Sequence, residues 1–174
     1  MLKPREAVPP LEVTTVEGEP WRLADQQPAS FTLAVFYRGL HCPICSRYLR
    51  GLSDSLGDFQ ARGVAVIALS TDDAERAGRA RQEWQLGNLQ VGYGLTIEQA
   101  RAWGLYISNS RGTTSASIEE PKQFNEPGLF LIRPDGTLYW AAVQSVPFAR
   151  PHFDDVLKAI DFIKERDYPP RGDG

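Results

Sequence analysis

The sequence predicts an α/β fold, a mixed central sheet flanked by helices with an added N-terminal β-hairpin, and three observations predict it. Two strand-sized runs, Phe31–Tyr37 and Val64–Leu69, are almost wholly apolar, which suits central strands covered on both faces better than half-exposed ones. Each run leads into a segment with helix signals. Late in the chain, Leu129–Arg133 and Thr137–Val143 flank Pro134-Asp135-Gly136, the composition of a tight antiparallel hairpin.

The elements follow in chain order. Leu11–Val16, a turn at Glu17-Gly18-Glu19 and Trp21–Leu23 read as the N-terminal hairpin, because branched residues alternate around a glycine turn. After the first apolar run, Ile44, Tyr48, Leu49, Leu52, Leu56 and Phe59 recur at helical spacing from Pro43 to Phe59, with Gly51 and Gly57 weakening the later turns. After the second run, Asp72 and Glu75 form a capping-box signature for a helix running towards Trp84 and Leu86. A short strand near Gln90–Leu95 precedes a second such signature, Thr96 with Gln99, ahead of Ala100 and Trp103. This alternation implies that the sheet is mostly parallel. Phe153, Val156, Leu157, Ile160 and Ile163 mark one face of a last helix. Trp84 and Trp103 stand at helical core positions. Ser70-Thr71-Asp72 lies at the carboxyl end of a strand, where open sheets often bind ligands, but helix capping accounts for it. Tyr106–Glu126 is rich in Ser, Thr and Asn without a period, and loops of that length are usually functional or mobile.

Length and composition set the bounds. At 174 residues with 42% apolar content, the chain reads as one domain spanning 1–174, with loosely held ends at roughly 1–10 and 169–174. Nineteen basic and twenty-two acidic residues leave a net charge of -3, which argues against a nucleic-acid or anionic-membrane partner. The apolar runs fall far short of the roughly 20 residues that cross a bilayer. The opening MLKPREAVPP lacks the apolar stretch of a secretory signal, so a cytoplasmic location is expected.

The two cysteines both lie in His41-Cys42-Pro43-Ile44-Cys45, too close together to staple distant parts of a chain, so their presence points to chemistry. A nucleophilic thiol must be ionised, and a helix N-terminus, a nearby cation and a partner thiol three residues on each favour that. Cys42 stands where strand gives way to helix, Pro43 fits the first helical position, and Arg38, His41 and Arg47 are close in sequence. Cys42 is the expected nucleophile. Cys45, one turn further in, is the expected resolving thiol that closes an intrachain disulfide. A zinc site is a poor alternative, because only His41 and the distant His152 could join the pair. Inert buried thiols are a second alternative. A third is a non-catalytic redox sensor whose disulfide switches the shape of the Tyr106–Glu126 loop.

The stretch Phe36-Tyr37-Arg38-Gly39-Leu40-His41-Cys42-Pro43-Ile44-Cys45, with Glu126-Pro127-Gly128-Leu129-Phe130 and the residues up to Tyr139, resembles the peroxiredoxin-like branch of the AhpC/TSA redoxin family. The resemblance covers most of the chain. It implies a thioredoxin-like core with an added N-terminal hairpin, Cys42 as the reacting thiol, no bound cofactor, and an external thiol reductant such as thioredoxin or glutathione. It leaves a homodimer open. It also implies that Pro127 is a cis-proline facing the active-site sulfur. Two departures stand out. Val35 and Gly39 occupy the positions of the proline and threonine of the PxxxTxxC signature, and Asn125-Glu126-Pro127 lacks the arginine that packs by the thiolate, a role left to Arg38. The missing parts point away from efficient peroxide turnover, whereas the Cys-x-x-Cys spacing matches disulfide exchange.

Overall fold

The computed structural model describes residues 2–174. The strands are β1 (Glu12–Thr15), β2 (Pro20–Arg22), β3 (Phe31–Phe36), β4 (Val64–Leu69), β5 (Gln90–Tyr93), β6 (Ile107–Asn109), β7 (Gln123–Asn125), β8 (Gly128–Ile132) and β9 (Leu138–Val143). The α-helices are α1 (Pro43–Asp54), α2 (Leu56–Ala61), α3 (Ala74–Glu83), α4 (Ile97–Ala102) and α5 (Phe153–Arg166).

Seven strands form one sheet in the order β2-β1-β5-β4-β3-β8-β9. The sheet is mixed, as the sequence predicts, but it is not mostly parallel. Only β3 with β4 and β4 with β5 pair in parallel, because the N-terminal hairpin joins antiparallel to β5 and β8 returns antiparallel beside β3. Alternation along the central strands divides the core. Leu33, Val35, Val66, Ala68, Leu129 and Leu131 face a layer made by α1, α2, α3 and α5. Ala34, Phe36, Ile67, Leu69, Phe130 and Ile132 face the other side, covered by Trp21, Ala100, Trp103 and Leu105. Each fully buried Leu, Ile or Phe in these layers contributes about 1.5–3 kcal/mol. Trp84 and Trp103 are core residues, as expected.

Several local expectations change. The run from Pro43 to Phe59 is two helices rather than one, interrupted at Ser55, whose φ of -92° and ψ of 0° leave the helical track. The capping box expected at Asp72 does not form; the N-cap is one residue on, where the Asp73 side chain accepts from Arg76 N at 2.9 Å in a single bond, while Asp72 is buried. The Thr96–Gln99 box is formed in both directions. The Tyr106–Glu126 segment holds the antiparallel ribbon β6–β7, hidden from periodicity because its residues are mostly polar. Within the ends read as loosely held, Arg5 N donates to Leu138 O and Val8 N to Gly136 O, and the Arg5 guanidinium meets Pro170 O at 3.3 Å and Asp173 at 2.9 Å.

Register alone assembles the site. Phe36, the last residue of β3, is level with Leu69 of β4 and with Gly128 of β8. The residues that follow β3 therefore emerge beside Ser70-Thr71-Asp72 on one flank and Asn125-Glu126-Pro127 on the other.

Candidate active site

Cys42 is the N-cap of α1, with Pro43 at the start of the helix. Its Sγ accepts from the backbone N–H of Cys45 at 3.2 Å, so the sulfur takes the place of a capping oxygen and receives one of the helix's unpaired donors. Both cysteines are free thiols, 1% and 0% exposed. A hydrogen bond from the Cys45 thiol is the largest influence on Cys42 and lowers its pKa below the ordinary 9.0, against the opposing effect of burial; the Cys45 N–H, Arg38 and Arg150 add to the lowering. Burial pushes the Cys45 thiol well up, and its bond to Cys42 reinforces this. The two thiols titrate as a pair in which the first proton comes from Cys42. This division leaves Cys42 the more readily ionised of the two thiols.

The predicted cations fare differently. Arg38 reaches the site: its Nε lies 3.1 Å from Glu126 Oε2, its Nη2 3.7 Å from Glu120 Oε1, and its guanidinium stacks over Phe124 at 4.8 Å. His41 is fully buried against Phe124, with ring centroids 4.5 Å apart and neither ring nitrogen hydrogen-bonded. Burial first, then the charges of Arg38 and Arg76, push its pKa down to about 3. His41 is therefore neutral near pH 7 and cannot supply the positive charge expected of it. Arg47 is exposed on α1 and is not among the charges acting on Cys42. Pro127 stands where expected, immediately before β8, but the described residues contain no cis peptide bond, so it is trans, the preferred isomer of an X-Pro bond. Its carbonyl accepts from Gln144 N at 3.0 Å.

Two residues that sequence reasoning missed are part of this cluster. Arg150, 105 positions from Cys45, places Nη1 3.6 Å from its Sγ and lies 4.0 Å over the Tyr48 ring; Tyr48 Oη in turn donates to Pro151 O at 2.7 Å. Nothing in Phe148-Ala149-Arg150-Pro151 marks it as a site residue. Asp72, 1% exposed, accepts from Leu40 N at 2.7 Å and from Arg76 Nε at 3.2 Å, and burial raises its pKa. It explains the glycine at 39. Gly39 has φ +131°, and a Cβ there would lie 2.6 Å from Asp72 Oδ1. The carboxylate that holds the loop fills the space a threonine side chain would need. Asn125 completes the floor, its Nδ2 donating to Tyr37 O at 3.0 Å and its Oδ1 accepting from Thr71 N at 3.2 Å. A loop pinned on both sides thus presents an activated sulfur at a helix N-terminus, with a second thiol one turn behind and two guanidinium groups nearby. Such an arrangement can attack an electrophilic sulfur or oxygen and then close a disulfide.

Comparison with known proteins places this geometry. The chain is similar to the structure of peroxidoxin BcpB from Mycobacterium tuberculosis, at 18% identity over 94% of this chain and 99% of that one, with a TM-score of 0.73. It is similar to a reduced 2-Cys peroxiredoxin from Plasmodium vivax, at 16% identity over 96% and 84% with a TM-score of 0.76. A peroxiredoxin-like protein from Aquifex aeolicus matches at 16% identity over 93% and 88%, with a TM-score of 0.73. At these identities the likeness establishes the fold. No curated protein matches by sequence. Residues 4–141 match the AhpC/TSA family, and with that span, the peroxiredoxin fold and the thiol at the β3–α1 junction, the chain belongs to the AhpC/TSA family and is a thiol-dependent oxidoreductase of peroxiredoxin-like type.

Proposed function

We propose that Cys42 and Cys45 form the redox couple of a dithiol–disulfide cycle. The carrying observation is the Cys42 sulfur held at the N-cap of α1 by the N–H of Cys45, the residue whose thiol must next attack it. With a peroxide, the Cys42 thiolate attacks one oxygen, the O–O bond breaks, the alcohol or water leaves after protonation, and Cys42 becomes a sulfenic acid. Cys45 then attacks that sulfur, forming the disulfide and releasing water. With a disulfide substrate, Cys42 displaces one thiolate to give a mixed disulfide, and Cys45 displaces the other. Either cycle ends when an external dithiol or glutathione takes the oxidising equivalents.

Disulfide exchange is the better supported branch. Peroxide activation normally relies on a hydroxyl that orients the peroxide, and Gly39 with Asp72 behind it leaves no room for one. Arg38 supplies positive charge to the Cys42 thiolate; Arg150, beside Cys45, favours the form in which that sulfur leaves as a thiolate during reduction. His41 contributes through its backbone, its carbonyl held in the loop by Thr114, and Pro127 shapes the entry to β8 beside the loop. A single domain, a reducing cytoplasm and a homodimer are compatible with this reading; no helix among the described residues is long and apolar enough to cross a membrane.

The test is steady-state consumption of hydrogen peroxide, and separately reduction of insulin disulfides, by wild type, Cys42→Ser and Cys45→Ser, each with a thioredoxin-type reductant and with glutathione. Both activities should vanish in Cys42→Ser. In Cys45→Ser, intact mass should reveal a trapped sulfenic acid or mixed disulfide. Full activity in Cys42→Ser rules the assignment out. Absence of any turnover in wild type, together with a redox-dependent change in proteolysis of the 106–126 segment, establishes the sensor reading instead.

A further inference from the structure

The ribbon β6–β7 continues into a hairpin that lies over the thiol loop. Its tip is folded, not open: Thr113 and Glu119 are bridged, Thr114 N donates to Ile118 O, and Ser117 N to Thr114 O. Three tethers hold it down. Thr114 Oγ1 donates to the carbonyl of His41, the residue before the nucleophile, at 2.8 Å. Arg76 Nη2 donates to Glu119 O at 2.9 Å while its Nε holds Asp72. The Glu120 carboxylate, its side chain only 8% exposed, reaches Arg38 Nη2 at 3.7 Å with one oxygen and accepts from Arg111 N at 2.7 Å with the other. Ile118 packs against the core layer that contains Cys42 and Leu40.

Two consequences follow. With Cys42 1% and Cys45 0% exposed, the nucleophile is closed to a disulfide in this conformation, in which the hairpin is tethered to the loop that carries it. Arg38, the nearer of the two cations in sequence, is also shared between two carboxylates, Glu120 and Glu126, so much of its field at the sulfur is cancelled. We propose that residues 110–120 form an autoinhibitory strap: lowered, it shields Cys42 and adds Glu120 to the carboxylates on Arg38, and lifted, it exposes the sulfur and leaves Arg38 with Glu126 alone, so that more of its charge acts at the sulfur. This rests on Cys42 being the reacting thiol. It assigns Glu120 a regulatory role through Arg38, without contact to the sulfur.

Alkylation of the reduced, full-length protein by iodoacetamide from pH 5 to 9, with the modified residue identified by peptide mass, separates access from charge. The groups that act on the Cys42 titration are Cys45 of α1, Arg38 of its own loop and Arg150 from the segment before α5; neutral His41 lies beside it, and Glu120 and Glu126 act through Arg38. Thr114→Val removes one tether and should raise the plateau rate about fivefold, the factor that corresponds to a hydrogen bond worth about 1 kcal/mol, with the titration midpoint unchanged. Glu120→Gln should raise the plateau and also move the midpoint to lower pH. Ser115→Ala, on the strap but not among its tethers, should match wild type.

Wild-type rates in both tether variants, or an upward midpoint in Glu120→Gln, overturn the proposal. Thermal unfolding identifies a variant that has lost its fold; should one fail, the other still decides whether the strap controls access. Alkylation needs no turnover, so the strap can stand where the redox cycle fails, and faster alkylation without any catalysis would separate the two.

Discussion

Restoring the threonine that the family signature places at position 39 should damage this protein rather than improve it. Gly39 has φ +131° and its missing Cβ would sit 2.6 Å from Asp72 Oδ1, 3.0 Å from its Cγ and 3.0 Å from Oδ2. Asp72 cannot simply swing aside, because it is buried and holds Leu40 N and Arg76. A β-branched residue at that backbone angle costs about 1–3 kcal/mol in strain, and forcing extra atoms into a filled site costs about 1–3 kcal/mol more. Gly39→Thr should thus lose roughly 2–6 kcal/mol, a fall in melting temperature of roughly 5–20 °C for a domain of this length. Differential scanning calorimetry gives the stability, and a peroxide-consumption assay on the folded fraction gives the function. The second variant, Gly39→Thr with Asp72→Ala, should recover part of the loss by removing the obstruction, although Leu40 N then lacks its acceptor, at about 1–3 kcal/mol. If Gly39→Thr melts with wild type and consumes peroxide faster, the steric account of this departure is wrong.

Arg150→Met keeps the apolar stem over Tyr48 but deletes the charge beside Cys45; since that charge lowers both thiol pKa values, disulfide closure near neutral pH should slow, followed by stopped-flow tryptophan fluorescence, and the deficit should shrink as pH rises. His41 makes the protein acid-sensitive. Its folded pKa, about 3 against 6.5 unfolded, means the unfolded chain binds one more proton between those values, so His41 leaves stability intact above pH 6.5 and erodes it as pH falls towards 3, by at most about 1.4 kcal/mol per pH unit. Asp72 works in the opposite direction just above 3.8, because its folded pKa is raised. Urea titrations at pH 7 and pH 5 should therefore show a smaller acid loss for His41→Phe than for wild type, and equal losses would count against a buried neutral imidazole. Finally, Asn125→Ala frees Tyr37 O, which is buried, and Thr71 N, which is part-buried, at once; the two unpaired groups should lower stability by about 2–4 kcal/mol, measured by the same titration.

Much of the fold was legible because its signals are local. Apolar runs located β3 and β4 to within a residue, Thr96 with Gln99 opened α4 as expected, and Pro134-Asp135-Gly136 turned between β8 and β9. What misled was also local. Asp72 carries the residue type of an N-cap but Asp73 does the capping, since a carboxylate one residue earlier finds a stronger demand at Leu40 N across the sheet. The β6–β7 ribbon escaped notice because a polar ribbon on the surface leaves no hydrophobic period to read.

By itself the sequence determined that two thiols stand three residues apart at a strand-to-helix junction, and hence that one of them caps a helix and the other lies a turn behind. That follows from spacing and proline placement, which act within a few residues. Only the tertiary structure decided the charges around them. Arg150 arrives from 105 positions away, Asp72 from 32 positions beyond Leu40, and Glu120 from the strap, while His41, adjacent in sequence, is stripped of its charge by burial. Electrostatic influence depends on distance and desolvation in the folded chain, and neither can be read from neighbours along it.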